Sequence, residues 1–144
     1  MKWITRKDIK VDRVACPWLI RHFIDPDAEF LFVDEDKLLA SAQKENAIPY
    51  DAPRIGAVKL NHRGERCTFD AIIEDYKVQE RGLERLASIV RAADVKGLEQ
   101  VAPEGAGLRA IAHGFAAMGI SDQDRLRYQF PIYDALLEYT RKAS

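Results

Sequence analysis

One short run concentrates reactive chemistry: Asp12-Arg13-Val14-Ala15-Cys16-Pro17-Trp18-Leu19-Ile20-Arg21-His22-Phe23-Ile24-Asp25. A thiol directly precedes a proline, and arginines stand on both sides. Proline suits the first helical position, where its missing N–H would have no partner anyway. Trp18, Leu19, Ile20 and Phe23 then follow at helical spacing. The pattern predicts a helix opening at Pro17 with Cys16 at its N-terminal end. Free backbone N–H groups and the positive end of the helix dipole favour an anion there and lower a thiol pKa. Cys16 is thus a candidate catalytic or redox-active thiolate, and Arg6, Arg13 and Arg21 are candidate ligands for a small oxyanion. A second reading stays open: cysteine beside Trp18 and Leu19 is often a small buried hydrophobe, and Arg6 and Arg21 are then surface charges.

A second group reads His62-x4-Cys67-x2-Asp70-x3-Glu74. Imidazole and thiolate suit borderline metals, and carboxylates can complete a site for zinc or iron. Asp70 and Glu74 share a helix face at i, i+4. No CxxC or HExxH pattern fixes the geometry, so a turn histidine, a buried cysteine and helix-end carboxylates are the simpler account. If the group is a site, His62, Cys67 or Asp70 is expected to share a polar pocket with the Cys16 end of the first helix, under the C-terminal helices. His113, in Ala112-His113-Gly114, could face a neighbouring element or a pocket, with a structural role the simpler reading. Glu104 is read as first-turn helix chemistry with a site-facing role as the alternative; the glycines after Glu104 lack the lysine and spacing of a phosphate loop.

Taken with Trp3-Ile4-Thr5-Arg6, Ala28-Glu29-Phe30-Leu31-Phe32-Val33, and His62-Arg63-Gly64 followed by Cys67-Thr68-Phe69-Asp70, these motifs resemble the chromate-resistance protein family. Within it, they look most like the C-terminal domain of the ChrB-type regulators. The likeness runs from Trp3 to Tyr139 and takes in Tyr133-Asp134. It implies a chromate- or oxyanion-stress module that senses a small anion or redox state. A small oxyanion such as chromate is the implied ligand, with a protein partner as a further route of action. The long helix of this family often carries a His-Asp pair where this chain reads Ile89-Val90-Arg91-Ala92-Ala93-Asp94, so only Asp94 is kept. Arginine is neither a metal ligand nor a base at ordinary pH, but it binds oxyanions, and Arg91 joins the anion-binding candidates. The alternative is a thiol- or metal-dependent enzyme built on Cys16 or the His62 group.

The elements must position these residues within one domain, 1–144. The chain has 144 residues, 47% of them hydrophobic, which suffices for a core. Charged residues make up 31% and nearly cancel to a net charge of −1, which argues against a dedicated nucleic-acid surface. No basic recognition helix precedes the family motif, so direct DNA binding is not expected. No apolar run spans a bilayer, Met1–Asp8 lacks the apolar core of a signal peptide, and two cysteines make no disulfide framework. The cytoplasm is the expected location, with both thiols reduced.

The fold class expected is α/β (α+β), with a small mixed sheet in the N-terminal half packed by helices and an all-helical C-terminal half. Trp3–Thr5 reads as a strand, Ala28–Val33 as a strand buried on both faces, and Asp34–Lys44 as a short helix. Ile48–Pro53 is barred from a central strand by its prolines, and Val58–His62 reads as a brief strand. Thr68 is expected to cap a helix. Leu83, Leu86, Ala87, Val90 and Ala93 give the clearest amphipathic stripe. A helix opens near Pro103-Glu104, and Ser121 caps the last, which Pro131 is expected to kink or split.

Overall fold

The computed structural model describes residues 1–143. The elements run β1 (Lys2–Arg6), α1 (Asp12–Phe23), β2 (Glu29–Val33), a 3₁₀ turn at Glu35–Lys37, α2 (Leu38–Glu45), β3 (Ala47–Pro49), α3 (Thr68–Asp75), α4 (Leu83–Asp94), α5 (Glu104–Ala117) and α6 (Asp122–Ala143). The N-terminal half is therefore mixed strand and helix, and the C-terminal half is all helical. The strands form one small sheet in the order β2-β1-β3, and every ladder is parallel. Parallel neighbours need a crossover; α1 supplies one and α2 the other.

Side chains alternate across a strand, and β1 divides two cores accordingly. Trp3 joins the large core beneath α1, α3, α4 and α6, while Ile4 joins a smaller one with Leu38, Ala42, Ala47, Ala52 and Val58. Trp3, Ile4 and Thr5 are fully buried because β1 is the central strand. β2 corrects the expectation of burial on both faces: it is an edge strand with only Phe30 buried. β3 keeps its proline at the other edge, where a missing donor costs nothing. Val58–His62 forms no strand; Leu60 makes a single bridge to Tyr50.

α1 also corrects the sequence. It starts at Asp12, five residues before Pro17, so Cys16 and Pro17 lie inside a continuous helix. Val14 and Ala15 both donate to the Val11 carbonyl, at 3.1 and 2.9 Å, and Asp12 gives the first turn its favourable negative charge. Pro131 likewise sits within an uninterrupted α6.

α6 fixes where α1 begins. The Asp122 carboxylate accepts from the backbone N–H groups of Asp8 and Ile9, at 3.0 and 2.9 Å. Arg125 donates to Asp8 Oδ1 and to the Ile9 carbonyl. Tyr133 donates its hydroxyl to the Val11 carbonyl at 3.2 Å, and Asp134 accepts from Trp18 Nε1 at 2.8 Å. Tyr133-Asp134 is thus a tether between α6 and α1. Trp18 packs among Phe23, Phe69 and Tyr133, and Ser121 Oγ caps α6 by accepting from the Asp124 N–H.

Candidate functional site

Four segments distant in sequence converge beside the N-terminal end of α3. The first turn of α1 supplies Asp12, the loop after β3 supplies Asp51, the turn before α3 supplies His62, and the end of α4 supplies Asp94. The two loops are clamped together. Asp51 donates its N–H to the Leu60 carbonyl at 2.8 Å. Asn61 accepts from the Ala52 N–H at 2.7 Å and donates back to the Ala52 carbonyl at 2.9 Å. Asp51 also adopts a left-handed backbone, φ +50°, which turns it out of line with β3.

His62 Nε2 is the centre of the cluster. It lies 3.4 Å from Asp12 Oδ2, 3.4 Å from Asp51 Oδ1 and 3.3 Å from Asp94 Oδ2. One imidazole nitrogen carries at most one proton, yet three carboxylates aim at it. The carboxylates push the imidazole up to about 12, with Asp12 the largest influence, then Asp51 and Asp94, so without a metal the ring is protonated at neutral pH.

Asp12 has a second task. Its side chain is 1% exposed and accepts from the backbone N–H groups of Thr68 at 2.8 Å and Phe69 at 3.1 Å. The anion position at the start of α3 is therefore filled by an internal carboxylate. Burial raises Asp12 to about 7, and Asp94 and Asp51 add to the effect. Burial pushes Asp51 the same way, but His62, Thr68 and Arg13 together hold it below its ordinary value; Thr68 Oγ1 donates to it at 2.8 Å.

Cys16 is fully buried, and its thiol donates to Asp12 Oδ1 at 3.4 Å. Burial, then the neighbouring Asp12 and Asp51 charges, hold it well above the ordinary thiol range. The helix-end environment on which the thiolate expectation rests is absent, because Cys16 is one turn inside α1. Cys67 is the residue before α3; burial raises its thiol too, with Asp12 and Asp70 adding to it. Both cysteines are unpaired.

The structure gathers a different set of acids round His62 than the spacing suggested. Asp70 reaches back to the Cys67 N–H at 3.0 Å and pairs with Arg91, so it caps α3. Glu74, with a side chain 62% exposed, lies 3.7 Å from Arg63. Arg91 serves Asp70. Arg13 donates to the Arg6 and Lys7 carbonyls and lies 3.5 Å from Asp51. Arg6 donates to the Asp51 carbonyl at 3.1 Å. Arg21 is remote, bound to the Ala28 carbonyl and lying over the Phe30 and Phe130 rings. All four arginines are thus engaged within the protein.

Asp12, His62 and Asp94 can each offer one ligand atom, and those atoms lie within 4.8 Å of one another. Zinc bonds of about 2.0–2.1 Å in tetrahedral array put neighbouring ligand atoms about 3.3 Å apart, whereas charge-assisted N–H···O bonds run about 2.7–2.9 Å. The spans from His62 to Asp12 and to Asp94, 3.4 and 3.3 Å, lie near the former. Asp94 and His62, 21% and 29% exposed, leave this side of the cluster open to solvent. Sequence reading missed Asp12 and Asp51 as site residues because nothing local links them to His62.

Comparison with known proteins agrees with the motifs. Residues 3–140 match the family model described as ChrB, C-terminal domain. The chain is 33% identical over 138 residues to Protein ChrB of Cupriavidus metallidurans, covering 95% of this chain and 36% of that relative. No solved structure matches it, and no described helix is long and apolar enough to cross a membrane.

Proposed function

This chain belongs to the ChrB C-terminal-domain family, and on that premise we propose that it is a metal-dependent module of the chromate response. Asp12, His62 and Asp94 hold one divalent ion, zinc or iron, and a small oxyanion such as chromate reaches it from the open side. The observation that carries this reading is the convergence of three carboxylates on the single His62 Nε2 at 3.3–3.4 Å. A dication relieves that crowding, and the mixed nitrogen and oxygen donors suit a first-row metal. When bound, it supplies Lewis-acid attraction for an oxygen ligand. The protein's own groups do the rest: the Thr68 and Phe69 N–H groups orient Asp12, and Thr68 Oγ1 with Arg13 holds Asp51 beside His62. Such outer partners fix the ligands they touch. The cytoplasm, where buried unpaired thiols stay reduced, is the compartment this reading assigns, and a protein partner is the route by which occupancy would be read out.

Titration calorimetry of chelator-stripped protein with zinc, and separately with ferrous iron, tests the site. One equivalent is expected with at least one of them. Asp94→Asn and His62→Ala should each weaken binding by at least about tenfold, or 1.4 kcal/mol. A wild-type protein that binds neither ion, or binds with unchanged affinity after both substitutions, overturns the reading.

A further inference from the structure

α4 and α5 pack against each other, with a point of near contact at Gly105. A Cβ on Gly105 would lie 2.5 Å from the Ala92 Cβ, so the helices meet there as closely as glycine allows. Beyond the contact they leave a depression of about 560 Å³, with Ala92, Ala106 and Ala110 as its floor and Lys96, Arg109 and His113 around it. Arg109 and His113 are four residues apart on α5, so they share a face.

These three differ from the arginines described above. Among the described residues, the side chains of Lys96, Arg109 and His113 take part in no hydrogen bond or ion pair. Backbone N–H groups, Gly97 first, hold the Glu99 carboxyl below its ordinary value, and Arg109 and Lys96 add to this only through their charge. The one carboxylate in the lining, Glu99, is turned to the Gly97 N–H at 3.1 Å. The depression therefore has an excess of positive charge over an apolar floor. Small-molecule sites are of this kind: about 300–1,000 Å³, mostly apolar, with a few converging polar groups. A bare inorganic oxyanion would satisfy the cations and leave the alanine floor uncovered.

We infer that this depression binds a small organic phosphate, a phosphomonoester of nucleotide size. Its phosphate lies between Lys96, Arg109 and His113, and its organic body covers Ala92, Ala106 and Ala110. The guanidinium fork of Arg109 suits paired phosphate oxygens. The inference does not rest on the metal reading, since it uses no residue of the Asp12–His62–Asp94 cluster.

Adenosine monophosphate is the probe, titrated into the full chain and followed by calorimetry and by the His113 imidazole resonances. Binding at about 1 mM or tighter is expected, with inorganic phosphate at least about tenfold weaker. Arg109→Gln should weaken the nucleotide by about tenfold or more, Glu99→Gln should tighten it, and His62→Ala should leave it unchanged. Equal affinity for inorganic phosphate overturns the organic ligand. Absence of binding up to about 10 mM, or indifference to both Arg109→Gln and Glu99→Gln, overturns the site.

Discussion

Cys16 shows how one residue's chemistry is decided by its position along a helix. The same thiol placed at a helix end would be drawn toward the thiolate; one turn inside α1, with Asp12 as its acceptor, it is held as the thiol. Native alkylation at Cys16 should therefore be at least about a hundredfold slower than in denaturant, because reaction requires an opening worth several kcal/mol. Thiol quantification over time, with mass mapping of the modified cysteine, checks this; fast native labelling at Cys16 would contradict it. The residue scale is also where the sequence was least legible. His62 and its family motif were readable, and Asp94 stood out as the retained half of a family pair. Asp12 and Asp51 were not, because their role depends on long-range contacts: Asp12 reaches Thr68 across 56 positions and Asp51 reaches Thr68 across 17. Local spacing rules describe ligands carried on one element, and this cluster is carried on four.

At the scale of elements, legibility improves because helical periodicity and caps are local. α4 follows its apolar stripe, α5 opens at Glu104 behind Pro103, and Ser121 caps α6 as expected. α1 failed because Pro17 was read as a start signal, while Asp12 in the first turn was the signal to follow. α5 offers a test of what sets helix spacing. Alanine is favoured over glycine by about 0.8–1.0 kcal/mol in a helix interior. Gly107→Ala should realise part of that, since a Cβ there meets nothing within 4 Å. Gly105→Ala should instead destabilise, by about 1–3 kcal/mol of overpacking, because its Cβ would press into Ala92. Denaturant unfolding of both variants measures the difference; a Gly105→Ala protein as stable as Gly107→Ala would show that α4 and α5 can separate freely.

For the whole molecule, the cluster makes stability depend on pH in an unusual direction. Asp12 is raised from 3.8 to about 7, so between those values the folded state holds the extra proton and stability falls as pH rises. His62 is raised from 6.5 to about 12; its contribution is complete below 6.5 and is lost as pH climbs toward 12. Both slopes have the same sign. Asp51, lowered in the fold, contributes in the opposite sense and is lost only as pH falls through its own value. Metal-free protein should thus melt higher near about pH 5.5 than near about pH 8.5. Zinc should reverse the order, since its ligands must shed their protons first. Thermal unfolding with chelator and with zinc at both pH values is the measurement, and a chelated protein more stable at the alkaline value would refute the assignment. The Asp12 carboxylate also constrains the order in which the chain can assemble. α3 cannot complete the hydrogen bonding of its own first turn until α1 is docked against it, since Thr68 and Phe69 donate to a side chain on α1. The early strand-helix-strand unit and the later helices are therefore joined by a non-local contact that neither can make alone. A fragment ending before Cys67, or one beginning there, would inherit an unfinished helix start or a stranded buried acid, and neither piece would carry the site.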